Sequence, residues 1–173
     1  MSLDRRRLLD FLEILDDEIG KKIVVVAVGG TAMTLLNLKP STVDVDFTVP
    51  SEDLAEFKKA LQSVPHGFKI DAWPDGMVFS QMLPQDYLAK SIEIRTMKKI
   101  QLRALQPVDI VVTKIGRLDS RDLQDIGTCI EKFKLTKKQI VSRAHLVQYA
   151  GRQEDYVANL QCVIDKFFCN ETK

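Results

Sequence analysis

Residues 23–49 read IVVVAVGGTAMTLLNLKPSTVDVDFTV. The run Ile23–Val28 is apolar and mostly β-branched, which predicts a strand buried on both faces. Gly29-Gly30 turns the chain, Thr31–Leu38 suits a short helix, and Pro40 stops it. Val43–Val49 then alternates strictly: Val43, Val45 and Phe47 point one way, and Asp44, Asp46 and Thr48 the other. One short stretch thus holds a buried strand, a glycine turn, a short helix and an acidic strand.

On its N-terminal side, Leu8, Leu9, Phe11, Leu12 and Leu15 form the apolar face of an amphipathic helix that Gly20 ends. Charges interleave with those apolar residues, so the start does not read as a signal peptide. On the other side, Ser51 is expected to cap a helix reaching about Val64, with Glu52 and Asp53 in the first turn where the dipole favours anions. Phe68–Trp73 alternates again, setting Phe68, Ile70 and Ala72 against Lys69, Asp71 and Trp73. After the Pro74-Asp75-Gly76 turn, Met77–Leu83 suits a strand or a lid-like segment. Ser91–Met97 and Lys99–Leu105 read as an antiparallel pair. Pro107 opens a helix to about Leu118, and Asp119 or Ser120 caps its continuation. Thr136 and Gln139 fit a capping box for a helix running towards Tyr149. Gly151 breaks that helix, Asp155–Phe168 forms the last one, and the CNETK tail is expected to fray. The order is a mixed α/β core to about residue 106 followed by helices.

Composition sets the frame. The chain of 173 residues suffices for one domain with a sizeable core and a helical appendage. With 25 basic and 24 acidic residues the net charge is +1, which argues against broad electrostatic binding to nucleic acid or an anionic membrane. Cys129, Cys162 and Cys169 lack metal-site spacing and read as reduced thiols of a cytoplasmic protein. His66 and His145 stand alone. No apolar run reaches the roughly 18 residues a membrane-spanning helix needs.

Asp44 and Asp46 are two apart on a strand, so their carboxylates project from one face. Like charges that close raise each other's pKa unless a cation sits between them. A hard cation such as Mg²⁺ takes carboxylate oxygens and leaves positions for water and phosphate. Gly29 and Gly30 allow close approach to the backbone, and N–H groups at a helix start suit a phosphate.

Gly29-Gly30, a short helix and Asp44-Val45-Asp46-Phe47 together resemble the signature of the nucleotidyltransferase superfamily with the DNA polymerase β-like fold. Thr42 completes the Thr-x-Asp-h-Asp pattern of one branch, which includes AbiEii-like toxins and related small prokaryotic proteins. Residues 105–126, LQPVDIVVTKIGRLDSRDLQDI, resemble a second block of that branch at Pro107, Asp109, Lys114, Arg121, Asp122 and Asp125. The likeness covers about residues 22–126. It implies a mixed sheet flanked by helices in a nucleotidyltransferase-like domain over 1–126, with residues 127–173 as a C-terminal helical extension.

The resemblance also implies roles. Asp44 and Asp46 would bind Mg²⁺ or Mn²⁺ carrying a nucleoside triphosphate. Gly29, Gly30, Thr31 and Thr42 would hold the triphosphate, with Thr31 replacing the serine hydroxyl that Gly30 lacks. A third carboxylate on a neighbouring strand would be ligand or base, and Asp71 fits better than Glu93. Lys114 and Arg121 would neutralise phosphate charge. If the helix is unbroken, Lys114, Arg117 and Arg121 share one face. Asp122 and Asp125 would orient Lys114 or Arg121, or else serve only to cap and solubilise the helix. The acceptor hydroxyl would belong to RNA, a protein or a small molecule, and a toxin role with an antitoxin partner follows by analogy. A catalytically silent nucleotide- or partner-binding module is the alternative, and the position of Asp71 discriminates. A scaffold with no site would show a filled groove beside Asp44 and Asp46.

Overall fold

The protein is described as a computed structural model over residues 2–169. Of the CNETK tail expected to fray, all but Cys169 lies outside these residues. The chain runs β1 (Leu3–Asp4), α1 (Arg5–Glu18), β2 (Ile23–Ala27), α2 (Gly29–Leu35), β3 (Ser41–Thr42), β4 (Val45–Val49) and α3 (Ser51–Ser63). There follow β5 (Ile70–Pro74), β6 (Met77–Val78), β7 (Gln81–Met82), α4 (Tyr87–Lys90), β8 (Ile92–Thr96) and β9 (Ile100–Ala104). The remainder is α5 (Pro107–Ile115), α6 (Ser120–Phe133), α7 (Lys137–Ala144), β10 (Gln148–Tyr149) and α8 (Gln153–Phe168).

A five-stranded mixed sheet of order β5-β4-β2-β9-β8 is the frame. The apolar run β2 sits at its centre, parallel to β9 and antiparallel to β4. Strand β5 lies parallel to β4, and β8 antiparallel to β9. Every residue of β4 is buried, including the polar Asp46 and Thr48. Helices α1 and α3 pack together, and α3 also packs on β2, β4 and β5. Helix α2 packs against β4 and α5, and α5 is the post on which α6, α7 and α8 assemble. Residue 126 lies within α6, so one continuous helix spans the division between the two expected segments.

Local rules explain most element ends. The Asp4 carboxylate accepts the Arg7 N–H at 2.9 Å and caps α1. Asp119 and Asp122 form a capping box at the start of α6, as Thr136 and Gln139 do for α7. Three expectations need correction. Ser51 is the first residue of α3 rather than its cap, because Pro50 holds the cap position and Asp75 takes the Ser51 N–H at 2.8 Å. The acidic strand begins at Val45, so Asp44 lies in the bend before it, and Ser41–Thr42 instead pairs with Leu3–Asp4. Helix α7 stops at Ala144, and Gln148–Tyr149 becomes a strand on the edge of β7.

Arg143 pins this C-terminal part to the core. Its Nε and Nη2 donate to Asp109 at 2.5 and 3.0 Å, and its Nη1 donates to Asp86 at 2.6 Å. Asp109 is fully buried on α5. Removing the arginine strands a carboxylate inside the protein. Arg143→Ala is therefore expected to destabilise the fold by about 3–5 kcal/mol in urea titration. Arg143→Met combined with Asp109→Leu should recover most of that loss.

Candidate functional site

The N-terminal end of β4 and the bend before it open onto a cleft of about 750 Å³. Asp44, Asp46, Gly29, Gly30 and Thr42 line it, and so do Lys69, Asp71 and Trp73 from the neighbouring segment. Alternation along that segment puts these last three side chains on one face, as the sequence predicts. Asp46 and Asp71 are directly opposite in the parallel register of β4 and β5. Glu93 is on β8, separated from β4 by β2 and β9, and bonds to Thr96 and Gln101. It is thereby removed as a candidate third acid, and the groove is open rather than filled.

Thr31 corrects another expectation. Its buried hydroxyl accepts the Asp46 N–H at 2.9 Å and donates to the Asp44 carbonyl at 3.3 Å. It braces the acidic strand and is not free to meet a phosphate. A side chain on Gly30 would begin 2.7 Å from the Thr42 Oγ1, so Thr42 closes that position to a serine, and its own hydroxyl donates to the Asp44 carbonyl at 2.8 Å. Gly29 adopts φ +53°, a left-handed conformation that favours glycine.

The opposite wall is basic. Lys39, Lys114, Arg117 and Arg121 line it with Asp122 and Asp125. The stripe of three cations on one helix does not form, because α5 ends at Ile115 and α6 starts at Ser120. Lys114 is buried and clamped by Asp122 at 3.0 Å and Asp125 at 2.8 Å. Lys39 also reaches Asp125, at 3.2 Å. Arg117 donates both Nε and Nη2 to Asp122, at 2.8 and 2.9 Å. Burial pushes the Asp122 carboxyl up, but the bonds and charge of Arg117 and Lys114 outweigh it and hold it below the usual carboxylate range. Arg121 reaches the cleft from the first turn of α6 and has no tie to either acid.

Burial first, then the charges of Asp44 and Asp71, pushes the Asp46 carboxyl up to about 6. The charges of Asp44 and Asp71 acting on Asp46 are the kind of repulsion that a divalent cation relieves. No cluster of three acidic, histidine or cysteine side chains is preassembled at ligand spacing among the described residues. Lys69 explains part of this, since its Nζ already occupies Asp71 at 2.6 Å. The donor chemistry fits a hard cation once Lys69 moves aside.

Residues that sequence reasoning missed cluster on the third side. The β6–β7 hairpin places Phe79, Ser80 and Gln81 in the cleft, and Tyr149 follows from β10. The Gln81 Nε2 donates to the Thr113 carbonyl at 2.6 Å, while its buried Oε1 has no partner among the described residues. Lys69 carried a signal in its alternation with Asp71. Phe79 carried none, because a two-residue turn gives a phenylalanine no preference for the cleft.

The chain belongs to the family described as nucleotidyltransferase of unknown function (DUF6036), whose family model matches residues 6–160. The solution structure of the antibiotic-resistance factor ANT(2'')-Ia superposes with a TM-score of 0.57 at 13% identity, covering 90% of this chain and 96% of that one. The crystal structure of ANT(2'')-Ia in complex with adenylyl-2''-tobramycin gives 0.56 at 14% identity, covering 80% and 94%. At such identities the likeness concerns the fold. No curated protein matches the sequence. No helix of the described residues is long and apolar enough to cross a membrane.

The raised Asp46 has a consequence for stability. Its carboxyl is near 6 when folded and near 3.8 ordinarily, so folding takes up a proton between those values. The contribution of this group to stability should rise as pH falls through 6, and that gain should be complete near pH 4. Asp46→Asn is expected to stabilise the protein by on the order of 2 kcal/mol at pH 7.5 and by little at pH 4. Thermal denaturation at the two pH values measures the difference.

Proposed function

We propose that this protein is an active, metal-dependent nucleotidyltransferase that moves a nucleoside monophosphate from a nucleoside triphosphate to a hydroxyl acceptor. The observation carrying this reading is the register of Asp46 with Asp71, which sets a third acid beside the Asp44–Asp46 pair in an open cleft. That placement favours the enzyme over a catalytically silent module on the same fold.

Asp44 and Asp46 would hold Mg²⁺ or Mn²⁺, which when bound lowers the pKa of the acceptor hydroxyl and balances charge on the phosphate oxygens. Asp71 joins them as ligand or takes the hydroxyl proton, once Lys69 releases it. Gly29 and Gly30 let the triphosphate approach their backbone, and the Thr42 hydroxyl would meet a phosphate oxygen there on turning from the Asp44 carbonyl. Arg117 and Arg121 neutralise negative charge across the cleft, while Lys114, held by two acids, sets a fixed positive site behind them. The acceptor oxygen attacks the α-phosphorus in line, the bond to the bridging oxygen breaks, and pyrophosphate leaves. RNA, a protein or a small molecule supplies the hydroxyl, in the cytoplasm. The resemblance to the AbiEii-like branch extends the proposal to a toxin-like role with an antitoxin partner.

The test is incubation with each labelled nucleoside triphosphate and Mg²⁺ or Mn²⁺, against RNA, protein and small hydroxyl acceptors. Label should transfer, and Asp46→Asn should lower the rate by about 10³-fold. Neither nucleotide binding nor transfer under any condition would overturn the proposal.

A further inference from the structure

Phe79 occupies the ground that the proposed triphosphate needs. Gly29 is the residue whose bare face permits close approach, yet the Phe79 ring already sits on that face. A side chain at Gly29 would begin 3.5 Å from the Phe79 Cζ and 3.7 Å from the Asp46 Oδ2. The ring edge therefore lies over the glycine turn and beside the central acid.

The fold aims it there. Phe79 has φ +55°, a left-handed conformation that a bulky side chain rarely adopts. Such strain persists where surrounding structure over-determines it. Here Val78 pairs with Gln81 across the two-residue turn, Gln81 pairs with Tyr149, and the Ser80 carbonyl accepts the Ala150 N–H at 2.8 Å. The backbone is held on both strands, so the ring is the part with freedom. It is 44% exposed despite this position. Its neighbours are Trp73, with ring centroids 5.2 Å apart, and the Arg117 guanidinium, 6.0 Å from the ring centroid.

We propose that Phe79 is a plug on the triphosphate site, displaced from Gly29 when nucleotide binds, and that it sets nucleotide affinity as a positioning residue. The inference rests on the nucleotidyltransferase reading above. Displacement exposes the glycine backbone and opens the approach to Asp46, and it separates the ring from Trp73. Trp73 is the single tryptophan of the chain and lines the same cleft, so its emission reports the movement when the response is present with the ring and absent without it.

The experiment titrates the four nucleoside triphosphates with Mg²⁺ into the wild-type chain and into Phe79→Gly and Phe79→Asn. Glycine and asparagine both tolerate the left-handed backbone, so the turn survives the loss of the ring. Wild type should bind a nucleotide with a change in Trp73 emission. Both variants should bind it about tenfold tighter, with no such change. Wild-type binding without a Trp73 response would overturn the plug alone. So would variants that bind no tighter, since the ring would then be part of the binding surface. Absence of binding in all three proteins would overturn the nucleotide reading and the plug with it.

Discussion

Asp46 is a buried carboxylate with Asp44 and Asp71 beside it, and the cleft is arranged around that concentration of negative charge. The charges repel, so backbone connections must hold them. Strand β4 lies between β2 and β5, with Val28 donating its N–H to the Asp46 carbonyl at 3.0 Å. Thr31 fixes the same residue from the same side, its hydroxyl accepting the Asp46 N–H. The start of α2 and the acidic strand are thereby one rigid piece, and the glycine turn is placed against the acids without any flexible link. Lys69 offsets part of the charge from the open side of the cleft.

The facing wall obeys the opposite rule. Asp122 and Asp125 turn inward and serve Lys39, Lys114 and Arg117. Burying a lysine is costly unless it is paired, and these two acids pair Lys114 at the back of the cleft. Arg117 is anchored through Asp122 yet still passes the Phe79 ring. Acids on and just before β4 and on β5, and cations on α5, α6 and the loops beside them, therefore line one cleft, in the space where a metal and a polyphosphate together would complete the electrostatics.

Much of this was legible in the sequence because it lies in local patterns. The apolar run gave β2, the alternation gave the shared face of Lys69, Asp71 and Trp73, Asp119 was one of two caps expected for α6, and a capping box marked α7. The acid pair and the glycine turn were legible for the same reason. Cross-chain relations were not. Alternation cannot say which strand adjoins β4, so Asp71 and Glu93 stayed open until sheet order separated them. The Thr31 and Thr42 hydroxyls, both expected at a phosphate, both donate to the Asp44 carbonyl, a relation between α2, β3 and the bend before β4 that no local pattern records. The helix expected to reach Tyr149 carried no signal for its early end, since the free edge of β7 is a tertiary feature.

The central claim is that Asp44, Asp46 and the glycine turn receive a metal-bound nucleotide. It is tested most directly by crystals of the protein grown with Mn²⁺ and a non-hydrolysable nucleoside triphosphate analogue, read by anomalous scattering. The account predicts an anomalous peak at about 2.0–2.2 Å from carboxylate oxygens of both Asp44 and Asp46, with the triphosphate lying along Gly29 and Gly30. A nucleotide bound elsewhere, or one in the cleft with no metal at those two acids, would contradict it.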